Sequence, residues 1–159
     1  MTLADQYGTT WMHWAYKKFS DWTGDSRGIW NYPCNSTKLE DCLNLDLTKL
    51  YARTYPRAVA GDTVEFVFNA TTYNSSLEYK PKKSCKLPTE IFVSNKWIYT
   101  SGFDIEIEGD LAKRYVTLTN HVADVIEVKV DPAFFDDEDY TPETTVKIQI
   151  FPKTSQDGQ

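Results

Sequence analysis

No run of about 18 apolar residues occurs in this chain, so no segment of it reads as a membrane-spanning helix. The amino terminus, Met1-Thr2-Leu3-Ala4-Asp5-Gln6, has neither a basic region nor an apolar stretch, so it does not read as a secretory signal. Positive charge is in deficit: 17 Lys and Arg face 23 Asp and Glu, a formal net charge of -6. Binding to a phosphate backbone needs a concentrated basic surface, which excludes nucleic acid as a partner. The longest basic cluster, Lys80 to Lys86, amounts to one loop. Histidine and cysteine are scarce. His13 and His121, with three dispersed cysteines, are too few and too scattered for a tetrahedral zinc site, and neither a metal nor a cofactor is expected. His13 reads as a hydrogen-bonded core residue and His121 as a surface residue in a turn. No serine sits in a Gly-x-Ser-x-Gly elbow and no glycine-rich loop is present to cradle a phosphate. At 159 residues the chain is also too short for a complete eight-stranded α/β barrel, which takes roughly 250.

Carboxylates are plentiful, yet none form a convincing catalytic pair. Glu65, Asp104, Glu106 and Glu108 alternate with apolar residues and are expected to face water. Asp136-Asp137-Glu138-Asp139 lacks the alternating oxygen ligands and the turn glycine of an EF-hand. By itself the chain offers no catalytic constellation.

What is present is enough apolar and aromatic material for a packed core, 41% and 14% of residues. Three N-x-[ST] triplets begin at Asn35, Asn69 and Asn74 and point to glycosylation, hence to a secreted or lysosomal protein of the eukaryotic secretory pathway. On that reading the true beginning of the protein lies upstream of Met1. Cys34 and Cys42 stand eight positions apart in a polar loop, a spacing that suits a disulfide; three reduced thiols fit the sequence equally well. Cys85 is left over.

Residues 9–16 form a continuous apolar run, as expected of a strand buried on both faces. Alternation places Met12, Trp14 and Tyr16 on one face and Trp11, His13 and Ala15 on the other. A loop over 21–37 follows. Leu39, Leu43, Leu47, Leu50 and Tyr51 then recur at helical spacing, with Ser36 or Thr37 as N-cap and an end near Thr54, where Pro56 disfavours helical geometry at Tyr55. After Gly61 the period changes. Short β-branched or aromatic runs at 63–69, 77–80, 90–93, 96–99, 103–108, 115–119, 125–130 and 145–151 describe an antiparallel sandwich. The acidic stretch 131–143 reads as a solvated loop. The expected division is 1–57, then the sandwich over 58–152, then a disordered tail over 153–159.

Three segments carry a family resemblance. Thr10-Trp11-Met12-His13-Trp14-Ala15-Tyr16-Lys17-Lys18-Phe19, with its Trp-x-x-Trp-x-Tyr-Lys pattern, resembles the last barrel strand of glycoside hydrolase family 5, in its endoglycoceramidase branch. Ala52-Arg53-Thr54-Tyr55-Pro56-Arg57-Ala58-Val59-Ala60-Gly61 resembles that branch's link from barrel to sandwich. Pro88-Thr89-Glu90-Ile91-Phe92-Val93, followed by Trp97-Ile98-Tyr99 and Gly102, resembles a strand pair of its C-terminal domain.

The resemblance implies a mainly β fold: a C-terminal antiparallel β-sandwich preceded by the last strand, loop and helix of a truncated (β/α)8 barrel. It implies a retaining hydrolase of the β-glycosidic bond that joins a sugar to ceramide, with glycolipid or oligosaccharide as the partner. The acid/base and nucleophile glutamates of the family lie after its fourth and seventh barrel strands. Neither position exists here, and the chain alone is expected to be inactive. Trp14, which read alone is a packed core aromatic, becomes by resemblance the floor of the sugar subsite beside the scissile bond; Tyr16 and Lys17 become contacts at its mouth. Two rivals remain: a non-catalytic sugar- or lipid-binding sandwich, which exposed coplanar rings at Trp97 and Tyr99 would favour, and a structural extracellular sandwich with residues 1–57 as an extension.

Overall fold

The computed structural model describes residues 28–31, 34–122 and 124–153, together with Ala4; at Leu39 and at 120–122 the description is of backbone alone. The expected strand at 9–16 and the end of the expected tail at 154–159 lie outside the described residues.

The expected long helix is two short elements. A 3-10 turn, η1 (Leu39–Cys42), is followed by α1 (Leu45–Tyr51). Leu43 between them is extended, forming an antiparallel bridge with Trp30, and Asn31 N–H and Asn44 N–H bond to the carbonyls of Cys42 and Ile29, each at 2.7 Å. The cap is Asn44, whose Oδ1 accepts from Leu47 N–H at 3.2 Å, rather than Ser36 or Thr37. Ser36 instead donates from its hydroxyl to Asp41 at 2.6 Å. The leucine period runs unbroken across the two elements, which is why it reads as one helix. The helix also ends at Tyr51, ahead of Thr54.

Eight strands follow: β1 (Tyr55–Ala58), β2 (Gly61–Phe68), β3 (Ser75–Pro81), β4 (Thr89–Phe92), β5 (Phe103–Glu108), β6 (Val116–Val122), β7 (Val125–Val130) and β8 (Val146–Pro152). They build two four-stranded sheets, in the orders β1-β4-β7-β6 and β2-β3-β8-β5, with every pairing antiparallel. Tyr55 and Pro56 are therefore sheet residues rather than a linker, opposite Phe92 and Ile91. Pro56 is tolerated because β1 is an edge strand, where a missing N–H breaks no interior ladder.

Period-two alternation aims Phe66, Phe68, Leu77, Tyr79, Ile148 and Ile150 inward from one sheet, and Ile91, Val116, Ile126 and Val128 from the other; all are buried in one core. Gly61 is held at the β2–β3 pairing, since a Cβ there would stand 1.9 Å from the Lys80 carbonyl oxygen.

Four further expectations are corrected. Residues 96–99 are not a strand: Ile98 N–H and Tyr99 N–H both donate to the Ser94 carbonyl, so the chain folds into turns there and spends its apolar side chains on packing. The acidic stretch is not all solvated loop, because η2 (Pro132–Asp136) seats a fully buried Phe134. A short helix, α2 (Asp110–Tyr115), buries Leu111 and Ala112 where no helix was expected. The backbone of His121 belongs to β6, not to a turn.

Candidate functional site

Trp14, Tyr16 and Lys17 lie outside the described residues, as does His13, so their geometry forms no part of the description. What the structure does place is the junction that connects α1 to the sandwich. Arg53 and Thr54 leave the helix as buried polar residues, 6% and 0% exposed. Burying a hydroxyl requires a partner. The Thr54 hydroxyl meets Tyr99 Oη at 2.7 Å, and Tyr99 Oη donates to the Tyr73 carbonyl at 3.0 Å. One tyrosine thus ties the segment entering β1 to the β2–β3 hairpin. Burial pushes the Tyr99 hydroxyl above the ordinary tyrosine range, opposed by its bond to Thr54, so it stays a neutral donor. Beside this junction an open groove of about 290 Å³ runs between α1 (Asp46, Leu47, Leu50) and the hairpin (Phe68, Ala70, Tyr73).

The aromatic pair that distinguishes the rival readings is now placed. Tyr99 is 2% exposed and stacks edge-on against Phe103 with centroids 5.3 Å apart, while Trp97 is half-buried against the core. Two coplanar exposed rings are not what this segment presents. The strand acids Glu65, Asp104, Glu106 and Glu108 are all exposed. Among the described residues no group of three or more His, Cys, Asp or Glu is placed to hold a metal ion.

Of the glycan acceptors, Asn35 and Asn69 are exposed and Asn74 is half-buried. Asn69 opens the β2–β3 hairpin turn, its Oδ1 accepting from Thr71 N–H at 2.9 Å and from Thr72 N–H at 3.0 Å. Cys34 and Cys42 are joined as a disulfide with Cα atoms 5.5 Å apart, and Cys85 is an exposed free thiol.

A second polar node lies at the other end of the sandwich and has no sequence signature beyond its charge. Asp137 accepts from Asp139 N–H at 3.0 Å and from the Tyr115 hydroxyl at 2.7 Å, with Arg114 Nη1 at 3.4 Å. The backbone bond first, then the tyrosine and the guanidinium, hold its carboxyl below the usual range. The node anchors α2 to the segment after η2.

The described residues form a mainly β, two-sheet antiparallel sandwich whose amino-terminal side carries a helix tied in through a buried Thr–Tyr contact. The chain belongs to glycoside hydrolase family 5, through the C-terminal domain whose profile matches residues 53–150. It is 26% identical over 171 aligned positions to an endoglycoceramidase of Hydra vulgaris, an alignment covering 99% of this chain and 27% of that protein. It is 28% identical over 107 residues to an endoglycoceramidase of Cyanea nozakii, covering 66% of this chain and 20% of the other. Among solved structures it resembles endo-glycoceramidase II from Rhodococcus sp. (TM-score 0.55, 20% identity, 95% of this chain and 27% of that one). It also resembles sterylglucosidase 1 of Cryptococcus neoformans (TM-score 0.65, 12% identity, 94% and 22%). At those identities the structures speak for the fold. The chain spans about a fifth to a quarter of the length of the curated relatives it matches.

Proposed function

We propose that this chain is the C-terminal part of a retaining glycoside hydrolase that cleaves the β-glycosidic bond of glycosphingolipids, of the endoglycoceramidase or glucosylceramidase type. One observation carries the reading: nearly the whole chain, 99% of it, aligns with the Hydra endoglycoceramidase while covering 27% of that protein. The Rhodococcus enzyme, of the same fold, has been captured with ganglioside GM3. In this reading the two catalytic glutamates stand upstream, one as acid/base and one as nucleophile. Trp14 lies at the carboxyl end of the last barrel strand and offers its indole face to the C–H face of the sugar, with Tyr16 and Lys17 at the mouth.

The sandwich braces the barrel. Supporting this role is the buried contact of Thr54 with Tyr99, which locks the segment leaving α1 into the sheet core. The burial of Tyr99 favours bracing over the rival reading of an exposed sugar-binding platform. The acceptor triplets at Asn35, Asn69 and Asn74 support reading it as a secreted or lysosomal protein of the secretory pathway.

The site assignment has a direct test. In the barrel-containing protein, Trp14→Ala lowers kcat/KM toward a glycosphingolipid by about 1–3 kcal/mol of transition-state stabilisation, with circular dichroism unchanged. Equal turnover with the fold intact would remove Trp14 from the sugar subsite.

A further inference from the structure

The 82–88 loop, between β3 and β4, folds over the end of β7 and encloses a cleft of about 300 Å³. Among the described residues its charged lining is cationic throughout, consisting of Lys82, Lys83, Lys86 and Lys129 with no carboxylate. The rest is mainly apolar, contributed by Leu87, Pro88, Pro132 and Phe135 among others. Leu87 stands 81% exposed, well above the 51% of Val64, the next exposed large hydrophobic among the described residues. On a chain of net charge -6, this cleft combines an apolar floor, a protruding leucine and a lysine rim. Lysine stems can lie along apolar surface while their ammonium groups reach outward, the arrangement used by segments that rest in a membrane interface.

Three of the lysines have partners outside the cleft lining: Lys82 with Asp62 at 2.5 Å, Lys83 with Asp136 at 2.6 Å and Lys129 with Glu127 at 3.2 Å. Asp62 and Asp136 are 63% and 68% exposed, and pairs so open to water contribute little, so drawing these lysines from their partners costs a competing anion little. Among the described residues Lys86 donates to a backbone carbonyl, that of Lys83, at 3.3 Å.

We propose that this cleft is a docking surface for the anionic phospholipids of a membrane leaflet, with the lysines meeting lipid phosphates and carboxylates and Leu87 entering the headgroup layer. A free phosphate would have no use for the leucine. An acidic peptide would match the lysines yet leave the apolar protrusion in water. The inference stands apart from the glycosidase reading, and its test uses no glycolipid, so either can fail without the other.

The test is cosedimentation of the full chain with phosphatidylcholine vesicles that do or do not contain phosphatidylserine, followed independently by an environment-sensitive fluorophore on Cys85, the exposed thiol in the cleft wall. Binding is expected to the phosphatidylserine vesicles, weakening as salt rises, with a blue shift of the label. Replacing Lys83 and Lys86 with Gln is expected to lower partitioning about thirtyfold, taking each lysine near the surface as one comparable contribution. Leu87→Ser should weaken binding while preserving its salt dependence. Changing Lys147 in β8 and Lys153 just after it to Gln, both outside the cleft, should leave partitioning unchanged. Equal binding to uncharged vesicles, no binding to either kind, or an equal loss in the β8 variant would each overturn the proposal. So would binding of polyglutamate without any response to vesicles.

Discussion

Asp137 shows how a single charge is conditioned by its surroundings. Its side chain is 8% exposed yet ionised, because a backbone N–H, a tyrosine hydroxyl and Arg114 all favour the carboxylate. With the folded-state value below the unfolded one, its contribution to stability is fully present above the ordinary carboxylate range and is lost as pH falls through the folded value. Asp137→Asn is therefore expected to lower the thermal midpoint at neutral pH. The gap to the parent should close as the pH is taken down through the carboxylate range. A gap independent of pH would mean that the carboxylate's charge is not what holds α2 in place. None of this was legible from residues 136–139, where four adjacent acids read only as a solvated run. The sequence shows charge, whereas the partners come from Tyr115 and Arg114, more than twenty positions away. Trp14 has the opposite history: alone it reads as a core aromatic, and only the surrounding Trp-x-x-Trp-x-Tyr-Lys pattern turns it into a subsite candidate.

At the scale of elements, strands with one wet face were the legible part. Phe66 and Phe68 point inward while Val67 is exposed, and Val146, Ile148 and Ile150 alternate with Lys147 and Gln149, so the period alone located β2 and β8. Elements defined by tertiary partners were not legible. Trp97, Ile98 and Tyr99 have strand propensity, but the Ser94 carbonyl and the buried Thr54 hydroxyl recruit them into turns and packing. Phe134 is hidden in the same way. It lies among acids, yet its ring packs edge-on against Phe135, Tyr140 and Tyr115 at 5.4, 5.6 and 6.4 Å, so that η2 closes one end of the core. Phe134→Ala is expected to cost about 3–5 kcal/mol of unfolding free energy, read from denaturant midpoints. A loss under about 1 kcal/mol would return the stretch to the status of a surface loop.

The whole molecule joins two levels of inference. The sandwich follows from periodicity and burial, while the proposed glycolipid-cleaving role draws its support from family membership and from relatives of which this chain spans a fraction. The compartment has its own measurement. Passage through a eukaryotic secretory route followed by glycosidase digestion should reveal a mass shift from glycans at one or more of Asn35, Asn69 and Asn74. A fully secreted, unshifted product would remove the secretory argument. The central claim is tested most directly by incubating a glycosphingolipid with the barrel-containing protein and, separately, with the 159-residue chain, and following the released sugar and its anomeric configuration by NMR. The account predicts that the barrel-containing protein releases sugar first as the β-anomer, leaving the ceramide portion, and that the chain alone releases none. Hydrolysis by the chain alone, or an α-anomer as first product of the larger protein, would contradict it.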